Sequence, residues 1–185
     1  MKTYLIIFFL FFAFDVYSQS LNSSEKEGLL LMREEEKLAR DVYSKLFDIW
    51  NVKIFENISR SEQNHMNRVK ELLIKYTIPD PIDIDSPGIF KNSKLQATYD
   101  SFVLKGQESL YSAFTIGAMV EDLDIYDLEK LMQETRNKDL LQTYTNLRDG
   151  SINHIKSFNK QILSQGEAYT AHYISQNYLI MILGH

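Results

Sequence analysis

Apolar positions recur along this chain at helical spacing in four stretches, and each stretch interrupts its apolar stripe with polar residues near the middle. The first runs Leu29, Met32, Glu36, Ala39, Tyr43, Leu46, Trp50, and the second Ile58, Glu62, His65, Val69, Leu72, Tyr76. The third runs Leu110, Phe114, Gly117, Glu121, Asp124, Leu128, Leu131, and the fourth Leu140, Tyr144, Leu147, Ser151, His154, Phe158, Ile162. Strand-like alternation is absent, and all three prolines fall between Pro79 and Pro87. The pattern predicts an all-α fold built on four long helices.

Breaks between the stripes set the wiring. Ser24-Glu25-Lys26-Glu27 has the form of a capping box, so the first helix should start there and run to about Trp50. Asn51-Val52 is then a short turn, and the second helix should end near Thr77, ahead of Pro79 and Pro81. Residues 78–92 form a long connection, followed by a short helix over Ser93–Lys105 that Gly106 closes. A third long helix is expected from about Glu108 to Glu134, a break at Arg136-Asn137, and a fourth long helix to about Ser164. Two short turns and one long connection give hairpin, crossover, hairpin, the ferritin-like wiring of a four-helix bundle with an extra helix on the crossover. The Tyr- and Ile-rich tail, residues 166–185, reads as an extended strap packed on the bundle of residues 19–165.

Residues 1–18 read differently. Lys2, the apolar run from Tyr4 to Phe14 and the small Ser18 make a secretory signal peptide, because Asp15 ends the run before the roughly 20 apolar residues a membrane span needs. The expected location is outside the cytoplasm, periplasmic or secreted in a bacterium, with no stable membrane span after cleavage. The net charge of −5 and the lack of a basic stripe argue against nucleic acid as a partner. There is no cysteine, which excludes disulfides, thiol nucleophiles, Cys-ligated zinc and iron–sulfur clusters. Any metal site must therefore use His, carboxylate and water.

Such a site needs the polar residues at one height. In a helical hairpin, residues equally far from the turn lie side by side, since each helix rises about 1.5 Å per residue. Glu36 lies fifteen residues before Asn51, and Glu62 and His65 lie eleven and fourteen after it. Glu121 and Asp124 lie fifteen and twelve before Arg136, and Ser151 and His154 fifteen and eighteen after it. Glu36, Glu62, Glu121, Asp124, His65 and His154 thus lie within about two helical turns of a common layer. Four carboxylates balance two divalent ions, and two imidazoles give each ion one nitrogen; iron or manganese suits this donor set, with zinc as a further choice. Taken singly the residues are unremarkable: Glu36 belongs to the run Glu34-Glu35-Glu36, an ordinary solvated face, and a lone core histidine is more often hydrogen-bonded than metal-bound.

The string from Glu36 to Tyr43, EKLARDVY, resembles the first-helix signature of rubrerythrin-like proteins, and Glu62-Gln63-Asn64-His65 resembles their second-helix Glu-x-x-His. The longer strings LLLMREEEKLARDVY, SEQNHM, GAMVEDLDIYDLE and GSINHIKSF resemble a bacterial family known as domain of unknown function 2202. That resemblance implies a ferritin-like bundle with ligands at Glu36, Glu62, His65, Glu121 and His154. It departs at Ser151, where a second Glu-x-x-His would place Glu; Asp124 is expected to restore the carboxylate. Arg40 is expected to orient a ligand carboxylate and Tyr43 to donate a hydrogen bond to one. The implied activity is that of a non-haem di-iron or manganese protein, of peroxidase or ferroxidase type, fed by an external electron donor and compatible with a homodimer. The alternative is a non-catalytic bundle, free of metal, in which the buried Glu and His residues pair with one another.

Overall fold

The structure, a computed structural model, describes residues 20–184; the expected signal peptide lies outside the described residues. Six helices make up the described chain: α1 (Ser23–Trp50), α2 (Lys53–Lys75), α3 (Ser93–Gly106), α4 (Leu110–Glu134), α5 (Lys138–Leu163) and α6 (Gln176–Leu183). The capping box that starts α1 sits two residues earlier than Ser24 and Glu27. Asn22 accepts from the Glu25 N–H at 2.9 Å, and the Glu25 carboxylate accepts from the Asn22 N–H at 3.0 Å. Asn caps as well as Ser does, so the sequence holds two overlapping boxes, and the earlier one wins an extra half turn of helix. At the other end Asn51 takes the left-handed conformation, with φ of 51°, and donates its N–H to Phe47 O at 2.7 Å. Asn tolerates that conformation better than most residues, which allows α2 to start two residues later.

α1 packs on α2, α4 on α5, α1 on α4, and α2 on α5. Tyr43, late in α1, meets Gly117 early in α4, whereas Gly28 at the start of α1 lies against Leu131 near the end of α4. α1 and α4 are therefore antiparallel, α2 and α4 point the same way, and residues 76–109 must return along the length of the bundle. That crossover is pinned by charge. Arg33 pairs with Asp80 at 3.0 Å, Arg40 with Asp85 at 2.6 Å, and the buried Lys37 ammonium donates to Ser86 O at 2.9 Å and pairs with Asp41. Gly88, with φ of 70°, presses against Tyr99, whose hydroxyl would lie 2.7 Å from an added Cβ. Only glycine suits that turn.

Two apolar clusters fill the interior. One, around Tyr43, Phe55, Phe114, Ile155 and Phe158, lies towards the end where α1 turns into α2. The other, around Leu29, Met32, Val69, Leu128, Leu140 and Leu147, lies towards the opposite end. Between them the buried residues are polar: Glu35, Glu36, Glu62, His65, Glu121, Asp124 and Ser151.

The tail departs from an extended strap. It bends round the Asp122 side chain, then forms α6, which buries Leu179 and Ile182. The Asp122 carboxylate, fully buried, accepts from Tyr169 Oη at 2.8 Å and from the backbone N–H groups of His172, Tyr173 and Ile174 at 2.6, 3.2 and 2.8 Å. A carboxylate so placed stands in for the backbone acceptors that a turn would otherwise supply. No helix among the described residues is long and apolar enough to cross a membrane.

Candidate metal centre

The centre of the polar layer is the carboxylate of Glu62, and each of its oxygens faces a different imidazole. Oε2 lies 2.6 Å from His65 Nδ1, one turn along α2, and Oε1 lies 2.8 Å from His154 Nδ1 on α5. Each histidine has a second carboxylate on its far side: Glu36 Oε2 is 3.2 Å from His65 Nδ1, and Glu121 Oε2 is 3.5 Å from His154 Nδ1. Two groups result, Glu36–Glu62–His65 and Glu62–Glu121–His154, each with donor atoms within 4.8 Å of one another. Glu62 belongs to both. The two rings are stacked, their centroids 5.7 Å apart.

The surroundings hold these groups in place. Tyr43 Oη donates to Glu121 Oε1 at 2.5 Å and lies 3.2 Å from Gly117 O. His154 turns its Nε2 to Ser61 Oγ at 3.1 Å, leaving Nδ1 directed at the carboxylates. The Cε1–Nε2 edge of the His65 ring lies against Gly150, where an added Cβ would come within 2.6 Å of Cε1 and 2.7 Å of Nε2. Sequence reasoning missed both Ser61 and Gly150; the signal for Gly150 was a glycine in the interior of a predicted helix, which usually marks a close approach.

Two expectations are corrected. Arg40 does not reach a carboxylate of the layer. Its guanidinium binds Asp41, Asp85 and Gln63, because the crossover brings Asp85 over α1 and a bidentate pair outcompetes a single contact further in. Asp124 joins neither three-residue group. It accepts a hydrogen bond from Ser151 Oγ on α5 instead. The run Glu34-Glu35-Glu36 is also not a solvated face: Glu35 and Glu36 are both buried.

Burial and mutual repulsion set the ionisation of the layer. Burial pushes the Glu36 carboxyl up to about 8, with His65 pulling down and Glu62 pushing further up. Burial likewise raises Glu121, with Glu62 adding to it, and raises Asp124 well above the carboxylate range, with Glu36 and Glu121 adding. Burial opposes charge on the histidines too, yet Glu36 and Glu62 lift His65 to about 11, and Glu121 and Glu62 lift His154 to about 10. Glu62 alone is held down, to about 2, where His154 and His65 outweigh its burial. Protons thus neutralise a cluster of anionic donors. Even so, Glu36 Oε1, Glu62 Oε1 and His154 Nδ1 are buried without a hydrogen bond. The 2.8 Å approach of the last two is not aligned as one, and interiors rarely leave such atoms unserved. These are groups able to hold a metal ion, and the donor set fits one.

The profile of the "Uncharacterized protein domain (DUF2202)" family matches residues 25–184. The uncharacterized protein MJ0754 of Methanocaldococcus jannaschii is 50% identical over 158 residues, which span 85% of each chain. A crystal structure of the hypothetical protein MJ0754 from Methanococcus jannaschii DSM 2661 superposes with a TM-score of 0.89 at 48% identity, covering 90% of this chain and 95% of that one. The fold, the buried Glu and His layer and these matches meet in one conclusion: this chain belongs to the DUF2202 family.

Proposed function

We propose that the protein is a ferritin-like, non-haem di-metal protein whose bundle holds two ions, iron first, with manganese or zinc as alternatives, and that it reduces peroxide or oxidises Fe(II). The observation that carries this reading is Glu62, set between two histidines that each have a further carboxylate of their own. Glu36 and His65 would hold one ion, Glu121 and His154 the other, and Glu62 both. Bound iron would supply the redox couple for oxygen or peroxide, and mixed carboxylate and imidazole donors suit it. The chain's own part is to orient and to balance charge. Tyr43 holds Glu121, Ser61 sets the His154 ring, and Asp124 with Ser151 adds an acid beside the pair. Electrons must come from an external donor, since the chain has no cysteine to carry an iron–sulfur or rubredoxin-type centre. The leader-like N-terminus supports export as the setting.

A metal-free bundle with paired Glu and His residues is the competing reading. It accounts for Glu62 and His154 as an ion pair at 2.8 Å but leaves Glu36 Oε1 buried without a hydrogen bond. The test is elemental analysis of protein reloaded with Fe(II) without oxygen. Two equivalents are expected, with His65→Ala losing at least one and Glu62→Ala losing both together with Fe(II) oxidation. No iron in the wild-type protein, or unchanged iron and oxidation in Glu62→Ala, would overturn the proposal.

A further inference from the structure

On the outer side of α4 the tail closes a cleft that shares no residue with the metal-centre groups. Tyr126, Glu129, Lys130 and Gln133 fall at helical spacing on one face of α4, and Tyr173 and Tyr178 line the cleft from the tail. The cavity measures about 380 Å³, within the roughly 300–1,000 Å³ of small-molecule sites. Both of its walls are fixed within the chain itself. Asp122, one turn before Tyr126 on α4, holds the tail by accepting from the N–H groups of His172, Tyr173 and Ile174. Tyr178 Oη donates to Glu129 Oε1 at 2.7 Å, and Arg148 Nη1 donates to the same oxygen at 3.1 Å. A site held in this way loses little conformational freedom when a ligand enters.

The lining selects the kind of ligand. Tyr126 and Tyr173 are 42% and 40% exposed, and neither hydroxyl has a hydrogen-bond partner among the described residues. Each offers a flat apolar ring with a polar tip, which suits a ligand that is itself apolar on one side and polar on the other. The cleft is not built for an ion: Glu129 is paired with Arg148, and Lys130 has Asp127 one turn before it on α4. What remains is a set of contacts for a neutral ligand, with Glu129 Oε2 to accept, Lys130 Nζ to donate and the Gln133 amide to do both. A sugar ring answers that set, with C–H groups across its face and hydroxyls, each a donor and an acceptor, round its edge. We infer that the cleft between α4 and the tail binds a neutral saccharide, its ring stacked on Tyr126 or Tyr173 and its hydroxyls bonded to Glu129, Lys130 and Gln133. The inference goes beyond the di-metal reading and does not depend on it.

The probes are glucose, N-acetylglucosamine, cellobiose and N,N′-diacetylchitobiose, each titrated into the protein by calorimetry and followed by saturation-transfer NMR. At least one should bind in the millimolar range or tighter, with transfer strongest to the C–H groups of one ring face. Tyr126→Ala or Tyr173→Ala should weaken that binding about tenfold, the scale of one lost aromatic stacking partner. Tyr126→Phe and Tyr173→Phe should keep most of it, because the ring face makes the contact. Both tyrosines are exposed, so the melting temperature and the amide exchange of the tail should stay at wild-type values in all four variants, which separates a lost ligand contact from a loosened tail. No binding of any of the four saccharides at tens of millimolar, or binding that both alanine variants leave unchanged, would overturn the inference. So would tighter binding of tetramethylammonium than of any saccharide, which would make the cleft a cation cage. Metal content should be the same in every variant, so a failure here leaves the Glu62 layer untouched, and a failure there leaves the cleft.

Discussion

Tyr43, Glu62 and Gly150 show how single side chains set the properties of the layer. Tyr43 Oη is fully buried and donates a hydrogen bond to Glu121. Tyr43→Phe removes a hydrogen bond to a carboxylate inside the core, so denaturant melts of the metal-free protein should show a loss of about 1.5–3 kcal/mol. Gly150 is where the His65 ring fits. A methyl group there would have to displace the imidazole, so Gly150→Ala should weaken metal retention against a competing chelator, while circular dichroism shows the helices unchanged. A wild-type retention curve for that variant would mean that the ring has slack the structure does not display. Glu62 was visible in the sequence, as a carboxylate inside an apolar stripe with His65 one turn on. Its sharing between two histidines was not, since that depends on α5 bringing His154 to the far side.

At the scale of elements, helix limits follow local signals closely, and the misses are instructive. Two capping boxes overlap at the start of α1, and only the packed structure selects Asn22 over Ser24. The tail shows the larger gap. Its aromatic residues signal burial, but nothing local says that Asp122, in the middle of α4, will gather the N–H groups of residues 172–174. Asp122→Ala would leave those donors and Tyr169 Oη without an acceptor, at about 1–3 kcal/mol for each buried group. The expected result is a tail that undocks before the bundle melts. Amide exchange at 172–174 should accelerate by orders of magnitude and limited proteolysis should cut near Gly166, with α1, α2, α4 and α5 protected as before.

For the whole molecule, the metal-free bundle and the loaded one should respond oppositely to pH. In the metal-free protein Glu36 keeps its proton to about 8, against 4.5 in the unfolded chain, so raising pH between those values favours unfolding. His65 and His154 keep theirs to about 11 and about 10, against 6.5, and their contribution is also lost as pH rises through those values. Glu62 acts in the other direction, losing its contribution as pH falls from 4.5 through about 2. The melting temperature of metal-free protein should therefore peak on the acid side of neutrality and decline above it. Metal needs deprotonated donors, so the gain in melting temperature on adding metal should widen with rising pH and vanish on adding chelator. A gap that is flat or narrows from pH 6 to pH 9 would contradict metal binding by this layer.

What the sequence by itself determined was periodicity and height. Four apolar stripes, the turns at Asn51 and Arg136-Asn137, and spacings of eleven to eighteen residues from those turns bring Glu36, Glu62, Glu121, His65 and His154 to similar heights, because helical rise per residue is constant. What only tertiary structure decided was rotation and company: which face each acid turns, and which partner waits there. Asp124 shares the height of the layer but turns to Ser151, Arg40 turns to the crossover, and Glu35, hidden in a run of three acids, turns into the α1–α4 seam. Those choices rest on contacts between residues far apart in the chain, such as Arg40 with Asp85 and Glu35 with Asp127, and a pattern read one helix at a time carries no information about them.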